Sequence, residues 1–321
     1  MSGRSTFIGI DIGGTKTAVV LGDETAATLA IESFPTDHAA GPQANLDRIA
    51  TIIQRMLQGH PSSPLSAIGI SCGGPLDSKA GVILGPPNLP GWDEVPVVAF
   101  FSERFGLPTH LENDANAGAI AEWQFGAGRG CRNVIFITAG TGLGCGLILD
   151  GRLYSGTNDM AGEAGHVRLR PNGPEGYGKA GSFEGFCSGA GLARLAAGHI
   201  QRARQEGRPT LLSNLCEPVT ARHVGEAAIG GDPVARQILA EAGERLGEGL
   251  AILVDILNPE VIVLGSLAVR LGDLYLGPAR EVVAREALAR SVQVCRIVPA
   301  RLGERTGEVA ALCVAMGLGR D

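Results

Sequence analysis

The segment Phe7-Ile8-Gly9-Ile10-Asp11-Ile12-Gly13-Gly14-Thr15-Lys16-Thr17-Ala18-Val19-Val20-Leu21 carries the pattern on which the reading of the whole chain turns. Two short apolar runs, Phe7–Asp11 and Thr17–Leu21, flank Gly13-Gly14, which is a strand–turn–strand signal. Backbone N–H groups at such glycines approach phosphate oxygens closely, and Thr15 and Lys16 offer further contacts. The spacing is not that of a Walker A loop, because Thr15 stands where the loop lysine belongs. On these residues alone, a plain Gly-Gly hairpin accounts for the pattern at least as well.

A second strand–turn–strand signal lies further along. Asn133–Thr138 and Cys145–Leu149 read as strands separated by the turn Gly140-Thr141-Gly142-Leu143-Gly144. Its glycine spacing fails the dinucleotide pattern Gly-x-Gly-x-x-Gly, and a strand rather than a helix follows. Two such turns facing each other would suit a polyphosphate. A third cluster is Leu111-Glu112-Asn113-Asp114-Ala115-Asn116, between a strand at Thr109–Glu112 and a helix at Ala115–Trp123. Ligand sites of α/β sheets lie at such junctions, and Asp114 there is a candidate base for a hydroxyl. An ordinary helix cap explains the same Asn-Asp pair. The fourth cluster is Gly162-Glu163-Ala164-Gly165-His166, with Glu184 downstream. These side chains suit a polyhydroxylated ligand, although a lone His is more often structural.

Elsewhere the spacing predicts helices over Pro42–Leu57, Val95–Phe105, 189–206, 220–229, 232–256, 272–288 and 306–317. Strands are predicted at Ala67–Cys72, which runs into Gly73-Gly74-Pro75, at Glu260–Leu264 and near 292–298. A Gly- and Pro-rich loop covers Pro171–Gly181. The sum is a mixed α/β protein in two lobes.

Composition agrees with a ligand-shaped α/β protein. A length of 321 residues suits two domains at about 100–200 residues each. Hydrophobic residues make up 45%, enough for a core, which excludes wholesale disorder. The 48 glycines cluster rather than recur every third residue, which excludes collagen. Net charge is −6 with no basic run, so duplex nucleic acid is not an expected partner. Seven scattered Cys form no Cys-x-x-Cys pair, and their odd number suits a reducing compartment. No secretory leader and no membrane-length apolar run is present, so a cytoplasmic protein without membrane partners is expected.

Taken in order, Asp11-Ile12-Gly13-Gly14-Thr15-Lys16, Gly73-Gly74-Pro75, Asn88-Leu89-Pro90-Gly91-Trp92, Glu112-Asn113-Asp114-Ala115-Asn116, Gly140–Gly144 and Glu163-Ala164-Gly165-His166 resemble the ROK family (repressors, open reading frames and sugar kinases) over nearly the whole chain. The resemblance implies an actin-like, Hsp70-like ATPase fold with ribonuclease H-like lobes and an interlobe active-site cleft. It divides the chain into a small lobe, 1–117, a large lobe, 118–304, and a last helix, 305–321, returning to the small lobe. It implies an ATP-dependent kinase acting on the 6-hydroxyl of a hexose, with kinases of N-acetylglucosamine or N-acetylmannosamine as the alternative. Less favoured are a non-catalytic sugar-binding protein and a repressor; only ten residues precede Asp11, so no helix-turn-helix domain is expected there.

By the same resemblance Asp114 is the general base, and Gly74, Asn88, Asn113, Glu163, His166 and Glu184 bind the sugar. Asp11, Gly13, Gly14, Thr15, Lys16, Thr141, Gly142 and Gly265 serve the nucleotide, with Mg²⁺ near Asp11 through water. A homodimer or homotetramer is implied. Two departures stand out. The family carries a zinc motif, a His followed by Cys-x-Cys-Gly-x-x-Gly-Cys; here the run is Glu175-Gly176-Tyr177-Gly178-Lys179-Ala180-Gly181-Ser182, and all three cysteines are replaced. Zinc needs about four N or S ligands, so no structural zinc is expected and the loop is left to packing and hydrogen bonds. Gly265-Ser266-Leu267 stands where the family has a Gly-rich turn near the adenosine.

Overall fold

The computed structural model describes residues 5–60 and 64–319. The chain opens with an antiparallel meander, β1 (Thr6–Ile12), β2 (Lys16–Asp23) and β3 (Thr28–Pro35). After α1 (Gly41–Gly59), β4 (Leu65–Cys72) runs parallel to β1. A small hairpin, β5 (Leu76–Asp77) and β6 (Val82–Ile83), and α2 (Val97–Phe105) follow. Then β7 (Thr109–Asn113) joins parallel to β4 and leads into α3 (Asp114–Phe125). The sheet order is β3-β2-β1-β4-β7.

The second half begins with β8 (Val134–Ala139), β9 (Leu143–Leu149) and β10 (Arg152–Leu153). A two-stranded hairpin, β11 (Glu175–Gly176) and β12 (Lys179–Ala180), precedes α4 (Phe183–Cys187), α5 (Gly189–Gln205), α6 (Ala221–Ile229) and α7 (Pro233–Leu257). The chain closes through β13 (Val261–Leu264), α8 (Leu267–Leu271), α9 (Asp273–Glu286), α10 (Ala289–Val294), β14 (Arg296–Pro299) and α11 (Thr306–Ala315). The second sheet is ordered β10-β9-β8-β13-β14, with β13 parallel to both β8 and β14. Two compact units result. One holds the chain up to Arg129, Gly146–Ala161 and the stretch from Glu304; the other holds Gly130–Cys145 and Gly162–Gly303.

In the first unit the alternation of β1 separates two jobs. Ile8, Ile10 and Ile12 are fully buried in a core with Ile49 and Ile53 of α1, Ile68 and Ile70 of β4, and Phe101 of α2; each contributes roughly 1.5–3 kcal/mol. Gly9 lies on the opposite face, beside Gly69 of β4. A Cβ on Gly9 would stand 2.9 Å from the Ala311 backbone, and one on Gly69 would stand 2.1 Å from Ala315 N. These glycines make a flat floor on which α11 lies. In the second unit, Gly243 and Gly247 of α7 play the same part: a Cβ on either would come within 2.6 Å of a backbone carbonyl of α9. No helix among the described residues is long and apolar enough to cross a membrane.

One local reading needs correction. Residues 289–294 are helical, and the strand expected near 292–298 begins only at Arg296. The chain there closes a helical turn instead, Leu288 O accepting from Ser291 N–H (2.9 Å) and Val292 N–H (3.0 Å), and Val294 is left exposed. Strand β3, not anticipated from the sequence, is an edge strand with Leu29 and Ile31 turned outward.

Candidate active site

In the first unit, Asp11 pairs in register with Ala18 and Ser71, and it points to the α11 face. Gly307, in the first turn of α11, leaves it room: a Cβ there would lie 2.5 Å from Asp11 Oδ2. Burial first, then the charge of Asp114, push the Asp11 carboxyl up to about 6; Lys16 opposes this and Glu308 adds to it. The following turn closes with the Gly13 N–H donating to Lys16 O (3.1 Å). Thr36 braces it from the end of β3. Its Oγ1 donates to Gly13 O (2.6 Å) and lies 2.9 Å from Thr17 Oγ1, and its N–H donates to Thr15 O (3.1 Å). A Cβ on Gly14 would meet Asn88 O at 2.4 Å, so the backbones approach too closely for any other residue. Thr15 and Lys16 are exposed.

Asn88 reaches the surface because Leu89 and Trp92 are fully buried and the Gly85 N–H donates to Trp92 O (2.9 Å), folding the segment back. Gly73 and Gly74, past β4, border it. A Cβ on Gly73 would be 3.6 Å from the Asn88 amide and 3.9 Å from Asp114 Oδ2; one on Gly74 would be 3.2 Å from Asn113 Nδ2. Asn113 is the cap of α3, its Oδ1 accepting from the N–H groups of Ala115 (2.9 Å) and Asn116 (3.3 Å). Asp114 is the first residue of the helix, and its Oδ1 accepts from Ala115 N–H (2.8 Å). The cap explanation therefore covers Asn113, while Asp114 Oδ2 faces Gly73. Asp114 is solvent-accessible on one side, yet the protein crowded round it raises its carboxyl above the usual range; backbone N–H groups of Ala115 and Asp114 itself pull the other way. Buried Glu112, whose part went unread in the sequence, accepts from Asn113 N–H and Asn116 Nδ2 (both 3.0 Å) and so anchors the start of α3.

In the second unit, Glu184 of α4 governs the other glycine turn. Its Oε2 accepts the Leu143 N–H (2.9 Å), and a Cβ on Gly142 would stand 2.8 Å from that same oxygen. Gly140 O accepts the Gly189 N–H (2.7 Å) at the start of α5. Gly165 touches the turn as well, since its Cβ would be 2.6 Å from Leu143 O and 3.4 Å from Glu184 Cβ. Glu163 and His166 flank Gly165 on a 3₁₀ turn, Ala164–His166, and both are exposed, as is Thr141. Gly265 N–H donates to Ile137 O (2.8 Å), and Ser266 Oγ lies 3.1 Å from Thr138 Oγ1. Ser266, at φ +49, is a contact of this turn that the sequence pattern signalled only as a departure.

The run without cysteines folds as the β11–β12 hairpin. Gly181 N–H donates to Pro174 O (3.0 Å), and Leu169 and Arg170 N–H both donate to Gly181 O (2.9 and 3.1 Å). Arg168 Nη1 donates to Ala180 O (2.5 Å), and Arg194 of α5 donates to Glu175 O. Ser182 Oγ caps α4 by accepting from Gly185 N–H (3.1 Å). Among the described residues no group of three or more His, Cys, Asp or Glu side chains is placed to hold a metal ion.

Each unit thus gathers its own predicted residues: Asp11, Gly13, Gly14, Gly74, Asn88, Asn113 and Asp114 in one, and Gly142, Glu163, His166, Glu184 and Gly265 in the other. Two α/β sheets, each with a glycine turn and carboxylates, with carboxamides in the first, match the actin-like ATPase fold of ROK glucokinases. The profile of the ROK family matches residues 7–317, and the chain belongs to that family. It is 36% identical over 315 residues to the glucokinase of Streptomyces coelicolor, covering 96% of each chain. It is 30% identical to the N-acetylmannosamine kinase of Shigella boydii, covering 97% of this chain and 99% of the relative. Among solved structures, a ROK glucokinase from Streptomyces griseus, in complex with glucose and AMPPNP, is 33% identical with a TM-score of 0.82, covering 98% and 100%.

Proposed function

We propose that this chain is an ATP-dependent sugar kinase that moves the γ-phosphoryl group of ATP to the 6-hydroxyl of a hexose, with glucose the leading substrate. The observation that carries this reading is Asp114, held at the start of α3 with a raised carboxyl pKa and its Oδ2 toward Gly73. A base with a pKa raised toward the working pH is better matched to taking a hydroxyl proton. Asn88 and that carboxylate both lie beside Gly73, and Gly74 lies beside Asn113; in the proposal Asn113, Asn88 and Gly74 hold sugar hydroxyls together with Glu163, His166 and Glu184. Gly13, Gly14, Thr15 and Lys16, with Thr141, Gly142 and Gly265, serve the nucleotide. Phosphoryl transfer then rests on positioning and charge neutralisation. The oxygen donors Asp11 and Asp114, the charge of Asp114 adding to the cost of ionising Asp11, fit a hard divalent cation. Mg²⁺, when bound, would neutralise phosphate charge, and Asp11 is the residue proposed to hold it through water.

Further parts of the reading are a homodimer or homotetramer, supported by the exposed Ile252, Ile256, Leu288 and Val294. A reducing cytoplasm is supported by seven free cysteines. Absence of nucleic-acid partners is supported by the net charge of −6. We also propose that no structural zinc is required, since hydrogen bonds brace the hairpin; about one zinc per chain by metal analysis would overturn this. A second reading, an acetamido sugar as acceptor, is favoured by the N-acetylmannosamine kinase relative. An ADP-release assay over glucose, mannose, N-acetylglucosamine and N-acetylmannosamine separates the two, and activity with none defeats both. Asp114→Asn is expected to lower kcat by about 10²–10⁴ with sugar binding retained; wild-type turnover would remove Asp114 from the base role.

A further inference from the structure

His166 is exposed, at the end of a 3₁₀ turn that has no side-chain cap. Its neighbours on the β11–β12 hairpin supply what the turn lacks. Lys179 Nζ donates to the His166 main-chain oxygen (2.7 Å), the last carbonyl of the 3₁₀ turn. A lysine at that end satisfies an orphan acceptor and favours the local dipole. Tyr177 stands edge-on to the His166 imidazole, with ring centroids 6.0 Å apart and planes at 76°, a favourable aromatic geometry. Tyr177 is 67% exposed, so burial does not explain its place. Its backbone does: Tyr177 and Gly178 have φ +45 and +71, the pattern of a two-residue type I′ turn. From that turn and the start of β12, the Tyr177 and Lys179 side chains both reach His166.

From this arrangement we infer that the β11–β12 hairpin positions His166 for substrate, Lys179 fixing its main chain and Tyr177 its ring. Both are positioning residues, because they act through His166. The inference rests on the sugar-binding role proposed for His166. The hairpin itself is held independently, by Arg168 at Ala180 O, by Arg194 at Glu175 O and by the backbone bonds to Gly181. Loss of Lys179 or Tyr177 should therefore leave the fold in place and change only the setting of His166.

Four variants of the full-length protein test this. Lys179→Met keeps the stem and removes the donor; Lys179→Arg keeps a donor. Tyr177→Ala removes the ring; Tyr177→Phe keeps it. Lys179→Met is expected to raise the sugar KM about tenfold, the worth of one charge-assisted hydrogen bond. Its kcat, ATP KM and Tm should stay close to wild type, and Lys179→Arg should recover most of the loss. Tyr177→Ala should raise the sugar KM about threefold to fivefold, with Tyr177→Phe like wild type. An unchanged sugar KM in Lys179→Met, or a loss that Lys179→Arg fails to rescue, overturns the inference. A second readout does not depend on catalysis: the His166 ring resonances in NMR spectra should move in Tyr177→Ala and Lys179→Met, and fixed resonances would equally overturn it. If the wild type phosphorylates no sugar, the functional reading fails while the NMR arm still decides the positioning.

Discussion

The two glycine turns look alike in sequence and are built differently. The turn after β1 is braced from nearby: Thr36, at the end of the same meander, holds both Gly13 O and Thr15 O. The turn after β8 is braced from a distance. Leu143 N–H is held by Glu184, 41 residues on, and Thr138 by Ser266, 128 residues on. The first is a neutral hydroxyl brace, so the turn can form with its hairpin. The second hangs on a carboxylate that the proposed function also needs for sugar, so shape and chemistry there are coupled.

The coupling gives the largest expected effect. Glu184→Ala removes the acceptor of Leu143 N–H and a sugar ligand at once, and kcat/KM for sugar should fall by about 10²–10³, two polar interactions together. Thr36→Val strips the matching brace from the first turn and should cost less than about tenfold in kcat/KM. Equal losses in steady-state assays of the two variants would show that the turns are not braced by different logic.

The glycines rank the other way for stability. A methyl on Gly14 meets the Asn88 backbone at 2.4 Å, which cannot yield without moving the segment anchored by Trp92. A methyl on Gly142 meets only the end of the Glu184 side chain at 2.8 Å. Gly14→Ala should therefore lower unfolding stability by about 2–3 kcal/mol and Gly142→Ala by under about 1 kcal/mol. Urea midpoints at constant m-value check this, and a reversed ranking would break the contrast.

The same contrast explains what the sequence made legible. Contiguous signals carried the first turn, the Asn113 cap, Asp114 at the head of α3 and the alternation of Ile8, Ile10 and Ile12, because each is set by residues within a few positions. Contacts beyond a few positions had no local signature: Thr36 on Gly13 within the meander, and still more Glu184 on Leu143 and Arg194 on Glu175, depend on where the fold returns the chain. Strand β3 was missed because Leu29 and Ile31 of this edge strand face outward. The missing cysteines were visible, whereas the carbonyl contacts of Arg168, Lys179 and Arg194 that brace the loop were not, since any Lys or Arg on an exposed face reads as solvated.

The smallest expected effect concerns charge at the first turn. Asp11 has its carboxyl raised from 3.8 to about 6, chiefly by burial and by Asp114. A carboxyl with a raised folded-state pKa favours the folded state when protonated. Stability from Asp11 is thus fully present below about 3.8 and is lost as pH rises through about 6. Asp11→Asn is neutral throughout, so its unfolding free energy should lack that decline. It should exceed wild type at pH 7 by on the order of 1 kcal/mol more than at pH 4. Saturating ATP and Mg²⁺ should shrink the gain, because a nearby cation favours the ionised carboxylate that Asn cannot supply. Urea titrations from pH 4 to 8, with and without nucleotide, measure both. A pH-independent difference between the two proteins would mean that Asp11 is not held at a cost, and that the first turn is no more strained by charge than the second.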